Sequence, residues 1–279
     1  MSFCHRTAII RFSRQMSRDL TPDKNAYLER ILASRIDLPP DLETLTTLQR
    51  RHLESVPFEN LDIHWERPIT LDTNRFFEKI VTNKRGGFCY ELNGLFESLL
   101  RSLGFQTRLI SARPYSQESG RFGPEFDHAA IIVTIANAEY LVDVGFGDFA
   151  AAPLKIAEGE DQTDREGLFR IRGASNGTLF AEKKIAGKWT PEYMFAPVVR
   201  ELAEFTEMCD HQQYSPESHF RKGKICSVLT ADGRKTLTDK NFIVTSRGKR
   251  TESPVRTEAE FDEIVEREFG IRRPSENKQ

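Results

Sequence analysis

The sequence predicts a protein of the α+β class, because its helical and strand patterns are segregated along the chain. Apolar residues recur at intervals of three and four through roughly the first hundred residues, which is typical of amphipathic helices. After Phe105 the pattern changes to β-branched runs separated by turn residues, and a mixed tail of helices and strands follows. This order favours α+β over the regular alternation of a parallel α/β sheet.

Four helices are predicted in the first part of the chain. The first follows Thr21-Pro22-Asp23 and the second follows Pro39-Pro40-Asp41, since Asp and Pro are common where helices begin. A third is indicated by apolar residues within 76–81. The fourth and clearest follows Gly86-Gly87, and Gly104 ends it as a C-terminal cap.

The central part of the chain predicts strands. Three β-branched runs cover residues 107–112, 129–135 and 140–146, and two shorter runs cover 168–171 and 178–181. The acidic stretch 158–166 is interpreted as a solvated loop with no special role.

The last third returns to mixed structure. Residues 197–209 have helical character, and residues 225–229 and 241–245 have the pattern of strands. A final helix is predicted over 258–269, with Gly270 at its end.

Residues 1–20 are set apart as an N-terminal extension, disordered or not part of the native chain. The first 18 residues contain five basic side chains, counting His5, and no acidic residue precedes Asp19. Such a start is typical of an organelle transit peptide. An upstream start codon is the alternative, because Met16 stands just before the first helical signal.

Composition excludes several classes of function. Lys and Arg number 40 against 42 Asp and Glu, so the net charge of −2 predicts neither a nucleic-acid nor an anionic-membrane partner. No apolar run approaches the roughly 18–20 residues of a membrane helix. The four cysteines are far apart, which argues against a zinc clip, a redox dithiol or a disulfide framework. These features predict a soluble, cytoplasmic protein.

Cys89 is the candidate nucleophile. It follows Gly86-Gly87 at the predicted start of the fourth helix, where unpaired N–H groups and the helix dipole favour a thiolate. The glycines allow backbone and substrate to approach closely. A buried structural cysteine after a Gly-Gly turn explains the same motif, so Cys89 alone does not establish catalysis.

His128 and Asp143 are the candidate partners of Cys89. His128 begins one predicted strand and Asp143 lies within the next, where a charge is costly unless it is paired. A cysteine at a helix start followed by histidine and aspartate on adjacent strands is the order of a papain-like triad. In this interpretation Asp143 orients the imidazole, His128 accepts the thiol proton, and Cys89 attacks a carbonyl carbon.

The other candidate residues carry weaker signals. Cys4, Cys209 and Cys226 lack a glycine turn or a nearby base and are interpreted as structural or incidental. His211 and His219 are eight residues apart, which is not the spacing of a metal site. The sequence contains no glycine-rich phosphate loop, and neither a metal nor a nucleotide fold is predicted.

At this point the motifs resemble those of the arylamine N-acetyltransferases. Arg85-Gly86-Gly87-Phe88-Cys89-Tyr90-Glu91 is similar to the family's signature around its nucleophile. Four further blocks follow the family's order, which extends the resemblance over about residues 20–271. They are Val56-Pro57-Phe58-Glu59-Asn60-Leu61-Asp62, Asp143-Val144-Gly145-Phe146-Gly147, Ser215-Pro216-Glu217-Ser218-His219-Phe220 and Phe269-Gly270-Ile271.

The resemblance implies a fold of three domains. Residues 21–105 would form a helical bundle with the nucleophile. Residues 106–210 would form a β-barrel-like domain that carries the triad's histidine and aspartate, together with an interdomain helix. Residues 211–279 would form an α/β lid.

The resemblance also implies the chemistry. Acetyl-CoA would be the acyl donor and an arylamine or hydrazine the acceptor, with no metal, in a ping-pong reaction through an acetyl-cysteine. Phe58 and Phe146 match family positions that line the acceptor pocket, and Glu59 and Arg85 match a structural ion pair. Many members of the family have a small residue where this sequence has Asp148, which puts the selectivity for the acyl donor or the acceptor in question. A hydrolase or an amide synthase with the same triad, and a catalytically inactive binding module, are the alternatives.

Overall fold

The computed structural model describes residues 23–32 and 38–274, so the predicted extension at residues 1–20 lies outside the described part. Within it the chain combines helices with two sheets, and the α+β prediction is confirmed at that level. No helix among these residues is long and apolar enough to cross a membrane.

Eight α-helices and two shorter helical turns are present in the described residues. The α-helices are α1 Lys24–Leu32, α2 Leu42–Ser55, α3 Leu61–His64, α4 Thr73–Phe77, α5 Cys89–Ser102, α6 Thr206–Tyr214, α7 His219–Lys222 and α8 Glu258–Phe269. A π-helical turn covers Glu78–Thr82, and a 3-10 turn covers Leu202–Phe205.

Capping residues explain where several helices begin and end. Asp41 accepts a hydrogen bond from Thr44 N at 2.8 Å at the start of α2, as its position after two prolines predicts. Gly270 adopts a φ of 68° and ends α8 at the predicted residue. The predicted third helix is divided, because α4 ends at Phe77 and the chain continues as the π-helical turn.

Fourteen strands are present in the described residues. They are β1 Phe58–Glu59, β2 Gln106–Ser116, β3 Arg121–Phe122, β4 His128–Ile135, β5 Ala138–Val142, β6 Leu154–Lys155, β7 Gln162–Asp164, β8 Gly167–Gly173, β9 Leu179–Ile185, β10 Lys188–Phe195, β11 Ile225–Thr230, β12 Gly233–Thr238, β13 Asn241–Ser246 and β14 Lys249–Pro254.

The larger sheet is antiparallel and nearly closes into a barrel. Its main path runs β6-β5-β4-β2-β10-β9-β8-β7, and β3 pairs with the end of β2. Near the free end of the path, Gly159 N donates to Ile171 O at 3.1 Å, which brings the segment after β6 against β8. The enclosed core contains aromatic and aliphatic side chains such as Phe149, Phe169 and Tyr193.

Three sequence predictions in this region need correction. Asp143 does not lie within a strand, because β5 ends at Val142 and side chains replace the ladder bonds beyond it. The stretch 158–166 is not all loop, since it contains β7, and Asp164 accepts bonds from Ala151 N and Ala152 N. Residues 197–201 are not helical, and the helix that follows extends to Tyr214.

The second sheet has the order β1-β11-β12-β13-β14 and is covered by α8. Its first strand comes from the N-terminal half of the chain, since Phe58 pairs with Ser227 and Glu59 with Cys226. Phe58 also forms a bridge to Gly87, two residues before Cys89. This sheet therefore reaches the start of α5, and the domain boundaries given by the sequence remain a prediction.

Candidate active site

Cys89 is the first residue of α5 and is 3% exposed. The glycines before it are required by close packing, because a Cβ at Gly86 would lie 2.2 Å from Pro57 O. Glu91 fixes the turn, since its carboxylate accepts from Phe88 N at 2.7 Å. Cys89 is thus held at a helix start whose backbone has little freedom.

A buried group of five charged side chains supports this turn from behind, and we call it the ion cluster. It consists of Glu59, Asp62, Lys79, Arg85 and Glu91. Arg85 contacts Glu59 and Asp62, each at 2.6 Å, so the ion pair expected between Glu59 and Arg85 is present. Lys79 Nζ lies 2.8 Å from Asp62 and 2.7 Å from Glu91.

His128 and Asp143 form a buried pair. His128 Nε2 lies 2.7 Å from Asp143 Oδ2, and the two residues are 3% and 2% exposed. The contact occupies Nε2 and leaves Nδ1 as the ring nitrogen that can exchange a proton with a neighbour. The start of β4 and the end of β5 bring His128 and Asp143 together, whereas the sequence predicted only their order along the chain.

Asn93, on α5, joins this pair to the helix of the nucleophile. Its Nδ2 donates to Asp143 Oδ1 at 2.9 Å and to Ala129 O at 2.7 Å, and its Oδ1 accepts from Val144 N at 3.0 Å. Asn93 is fully buried. Sequence reasoning missed it, although an asparagine on the apolar face of the strongest helix is a signal that could have been read.

Gly145 packs the segment after Asp143 directly against the nucleophile. A Cβ at this position would lie 2.8 Å from Asn93 Nδ2 and 3.0 Å from Cys89 Cα, so a larger residue would displace the contact. Gly145 N also donates to Asp143 Oδ1 at 2.9 Å. The aspartate therefore accepts two hydrogen bonds besides its contact with His128, which fix the position of its carboxylate.

The surroundings of Cys89 differ from the sequence expectation of a favoured thiolate. Burial raises the pKa of the Cys89 thiol well above its usual value, and the nearby Cys209, Asp127 and Asp143 act in the same direction. A bond from Tyr90 N–H to the sulfur acts against this rise. The geometry thus favours a neutral thiol that loses its proton only when a base accepts it.

A cavity of about 710 Å³ opens in front of these residues. Cys89 and His128 both line it, together with the predicted pocket residues Phe58 and Phe146 and with Phe220. The ring of Phe146 meets that of His128 edge-on, with centroids 5.1 Å apart. Phe220, in a block quoted from the sequence, was not predicted to reach the pocket.

Charged side chains divide the cavity into two walls. Lysines and arginines of the C-terminal region line one wall, and Lys222 and Lys240 there have no ion-pair partner among residues 23–32 and 38–274. The barrel contributes His128 and two carboxylates, Asp127 and Asp148, to the opposite wall. The cavity thus offers free positive charge on one side and negative charge on the other.

Two of the weaker candidates lie close to Cys89, since Cys209 is near its thiol and His219 lines the cavity. Cys209 and Cys226 are buried free thiols whose pKa values are raised by burial, while Cys4 lies outside the described residues. Within the described part, no group of His, Cys, Asp and Glu side chains is arranged to hold a metal ion.

Known proteins resemble this chain over most of its length. A sequence model of the N-acetyltransferase family matches residues 41–277. The pineal gland arylamine N-acetyltransferase isozyme NAT-3 of Gallus gallus is 34% identical over 77% of this chain and 80% of its own length.

Solved structures agree with the sequence comparison. An arylamine N-acetyltransferase from Bacillus cereus, described as having a unique Cys-His-Glu catalytic triad, superposes with a TM-score of 0.82 at 28% identity, covering 90% of this chain and 99% of its own. That of Mycobacterium marinum in complex with CoA gives a TM-score of 0.81 at 27% identity over 89% and 93% of the two chains. The chain therefore belongs to the arylamine N-acetyltransferase family of acyltransferases.

Proposed function

We propose that this protein transfers an acetyl group from acetyl-CoA to an arylamine or arylhydrazine in two steps through an acetyl-Cys89 intermediate. The contact of 2.7 Å between His128 Nε2 and Asp143 Oδ2, in a cavity that Cys89 also lines, is the observation that carries the proposal. In this proposal Cys89 is the nucleophile, His128 the general base and Asp143 the residue that orients the imidazole.

The first step forms the acetyl-enzyme. As Cys89 Sγ attacks the thioester carbonyl, His128 Nδ1 accepts the thiol proton, and Asp143 stabilises the imidazolium that results. The tetrahedral oxyanion would accept hydrogen bonds from backbone N–H groups at the start of α5, including that of Cys89. CoA then leaves as a thiolate that takes the proton back from His128.

The second step returns the enzyme to its starting state. An arylamine is uncharged at neutral pH, so its nitrogen lone pair can attack the acetyl carbonyl directly. His128 removes a proton from that nitrogen and delivers it to the departing sulfur of Cys89. Phe58 and Phe146 would line the space for the aromatic ring, since both face the cavity beside Cys89 and His128.

The free lysines suggest where an anionic donor would lie. CoA carries phosphates, and Lys222 and Lys240 line the cavity without an ion-pair partner among the described residues. A related enzyme from Mycobacterium marinum has been solved in complex with CoA. We therefore place the donor along the C-terminal wall and the acceptor towards the barrel.

Intact-mass measurement after mixing with acetyl-CoA alone tests the first step. The wild type and Cys226→Ala, which removes another buried cysteine, should each gain one acetyl group, while Cys89→Ala should gain none. An unmodified wild type, under conditions where hydrolysis of the adduct is excluded, would contradict the proposal.

The second step is tested by adding acceptors to the isolated acetyl-enzyme. Arylamines and hydrazines should discharge the adduct faster than water alone and appear as N-acetyl products. Discharge at the rate of the water control, whatever the amine, would instead assign a hydrolase.

A further inference from the structure

Asp127 is a half-buried carboxylate that lines the active-site cavity next to His128, and the proposed reaction does not use it. We propose that Asp127 selects acceptors, favouring aromatic amines that carry a second, cationic group over those that carry a carboxylate. This inference rests on the proposed function, because it names the acceptor class of the same site.

A chain of hydrogen bonds holds the Asp127 side chain in place. Ser218 Oγ donates to Gln212 Oε1 at 2.9 Å, which directs the amide nitrogen of Gln212 towards Asp127 Oδ1, to which it donates. Ser218 and Gln212 are each 3% exposed. Oδ2 lies against Gly123, where a Cβ would come within 2.4 Å of it, so only glycine leaves room for the carboxylate.

The charge of Asp127 has no counter-ion in the described part of the chain. No lysine, arginine or histidine among residues 23–32 and 38–274 lies within 4.0 Å of its carboxylate. Among the basic side chains, His219 has the largest effect on the pKa of Asp127. Burial lowers the pKa of His219 below the usual 6.5, so this imidazole is neutral at neutral pH. Burial raises the pKa of Asp127 itself, and His219, His128 and the Gln212 amide act against that rise.

The second carboxylate of this wall is different. Asp148 is paired with Lys183 Nζ at 3.0 Å, and 70% of its side chain is exposed. An exposed pair that is already neutralised contributes little to the binding of a further charge. The uncompensated charge on the barrel side of the cavity is therefore that of Asp127.

The position of Asp127 determines which part of the substrate it would meet. It precedes His128, whose ring is packed against Phe146, so it borders the space assigned to the acceptor ring. The free lysines line the wall contributed by the C-terminal region, where the anionic donor is placed. A cationic substituent on the acceptor would form the ion pair that Asp127 lacks, whereas a carboxylate would be repelled.

Three anilines with nearly the same shape test this selection. They are para-(aminomethyl)aniline, whose alkylamine is protonated at neutral pH, uncharged para-toluidine and anionic para-aminobenzoate. With the wild type we expect kcat/KM for the cationic acceptor to exceed that for the anionic one. Asp127→Asn, which keeps the shape and can still accept from Gln212, should lower this ratio on the order of tenfold.

Glu125→Gln is the matched control, because it removes the same charge two residues away. Glu125 does not line the cavity and is paired with Arg200. It should leave the ratio as in the wild type. The inference is overturned by a ratio that Asp127→Asn does not change, or by one that Glu125→Gln lowers equally. An equal loss of activity towards all three anilines in Asp127→Asn also overturns it, because the residue would then support His128 rather than select acceptors.

The two proposals fail in distinguishable ways. If para-toluidine is not acetylated by the wild type, the proposed function fails, and the selection is then measured by calorimetric binding of para-methylbenzylamine and para-methylbenzoate. The wild type should bind the ammonium ligand more tightly than the carboxylate, and Asp127→Asn should lose that preference. Equal preferences in the two proteins overturn the inference independently of catalysis.

Discussion

Behind Cys89 the helical region buries the ion cluster, whereas behind His128 the Asp143 carboxylate is surrounded by Asn93 of α5, a backbone N–H group and aromatic rings. On the helical side, carboxylates and cations neutralise one another at distances of 2.6 to 2.8 Å. On the barrel side, Asp143 receives neutral donors from Asn93 and Gly145.

The two regions have different roles. The charged side chains behind Cys89 fix the backbone, whereas the groups around Asp143 hold a carboxylate beside His128. The ion cluster holds the turn before α5, and its two cations lie between its three carboxylates. Burial opposes the charge on Lys79, but Glu59, Glu91 and Asp62 outweigh it and raise the pKa of that lysine. Asp143, in contrast, is held by neutral donors, which place no second cation beside the His128 ring.

Replacing Asp143 should have the largest effect, and the loss should be in activity. Asp143→Asn would present an amide N–H to His128 Nε2, so the ring proton would move to Nδ1, which could no longer accept the thiol proton. We expect acetyl-enzyme formation to slow by about 10⁴-fold, the magnitude for a triad with the wrong tautomer. The rate of adduct formation by mass measures it.

Asp164→Asn is the control for that experiment. Asp164 is also a barrel carboxylate held by hydrogen bonds, from the backbone N–H groups of Ala151, Ala152 and Glu166, but it does not contact His128. It should form the adduct at nearly the wild-type rate. Comparable slowing in both variants would show that the barrel responds to any lost carboxylate.

Lys79→Met should mainly reduce stability. It leaves the carboxylate of Glu91 buried without a cation, while Asp62 keeps Arg85, and removal of one partner from a buried ion pair costs about 3–5 kcal/mol. Urea unfolding measures the change. Lys155→Met breaks an exposed pair with Glu160 and should cost less than about 1 kcal/mol. Similar losses in the two variants would contradict the contrast between buried and exposed charges.

His52 makes the helical region sensitive to acid. It is fully buried against Phe96 and Tyr27, and burial lowers its pKa to about 3, with Arg30 acting in the same direction. Since this folded-state pKa lies below the unfolded value of 6.5, stability is complete above pH 6.5 and falls as the pH drops towards 3.

The effect of His52 on the free energy of unfolding should reach roughly 2–3 kcal/mol two pH units below its unfolded pKa. His52→Leu should flatten that part of the stability profile, because leucine has no proton to bind. Urea unfolding at a series of pH values measures it. Parallel profiles for the two proteins would exclude His52 as the source.

Glu192 should give the smallest effect, with the opposite sign. It stands at the bulge of β10, and burial raises its pKa to about 7, with Lys183 acting against the shift and Asp148 with it. Because the folded-state pKa exceeds the usual 4.5, stability is lost as the pH rises from 4.5 to 7. Glu192→Gln should therefore unfold at higher temperature than the wild type above pH 7. Allowing for partial exposure, we expect about 1–2 kcal/mol. A variant less stable than the wild type there would show that the carboxylate is stabilised by its neighbours.

The sequence predicted those elements that local patterns determine. α5 was clear because its apolar face repeats over four turns and glycines stand at both ends, and α8 was clear because its apolar residues recur at helical spacing and Gly270 ends it. The strands β10, β12 and β14 were missed. β14 is exposed throughout and has no alternation, while β10 contains Pro191 and a bulge beside it.

The site was predicted as residue types rather than as contacts. Cys89, His128 and Asp143 stand out because a cysteine after two glycines and an acid beside a strand are unusual. Asn93 and Lys79 do not stand out, since a polar residue in a helix normally faces solvent. Only the tertiary fold buries these two side chains. The raised pKa of Cys89 likewise arises from burial, which one-dimensional spacing does not encode.

The pairing of β1 with β11 has a consequence for the order in which the protein forms. Phe58 and Ser227 come from distant parts of the chain, yet β1 also bridges to Gly87 beside the nucleophile. During synthesis β1 and the segment that carries Cys89 leave the ribosome long before β11. Until β11 has been made, β1 lacks this partner strand and its edge is unpaired. We expect the cavity to be among the last features completed, and a newly made chain to acquire its chemistry only when the C-terminal sheet docks.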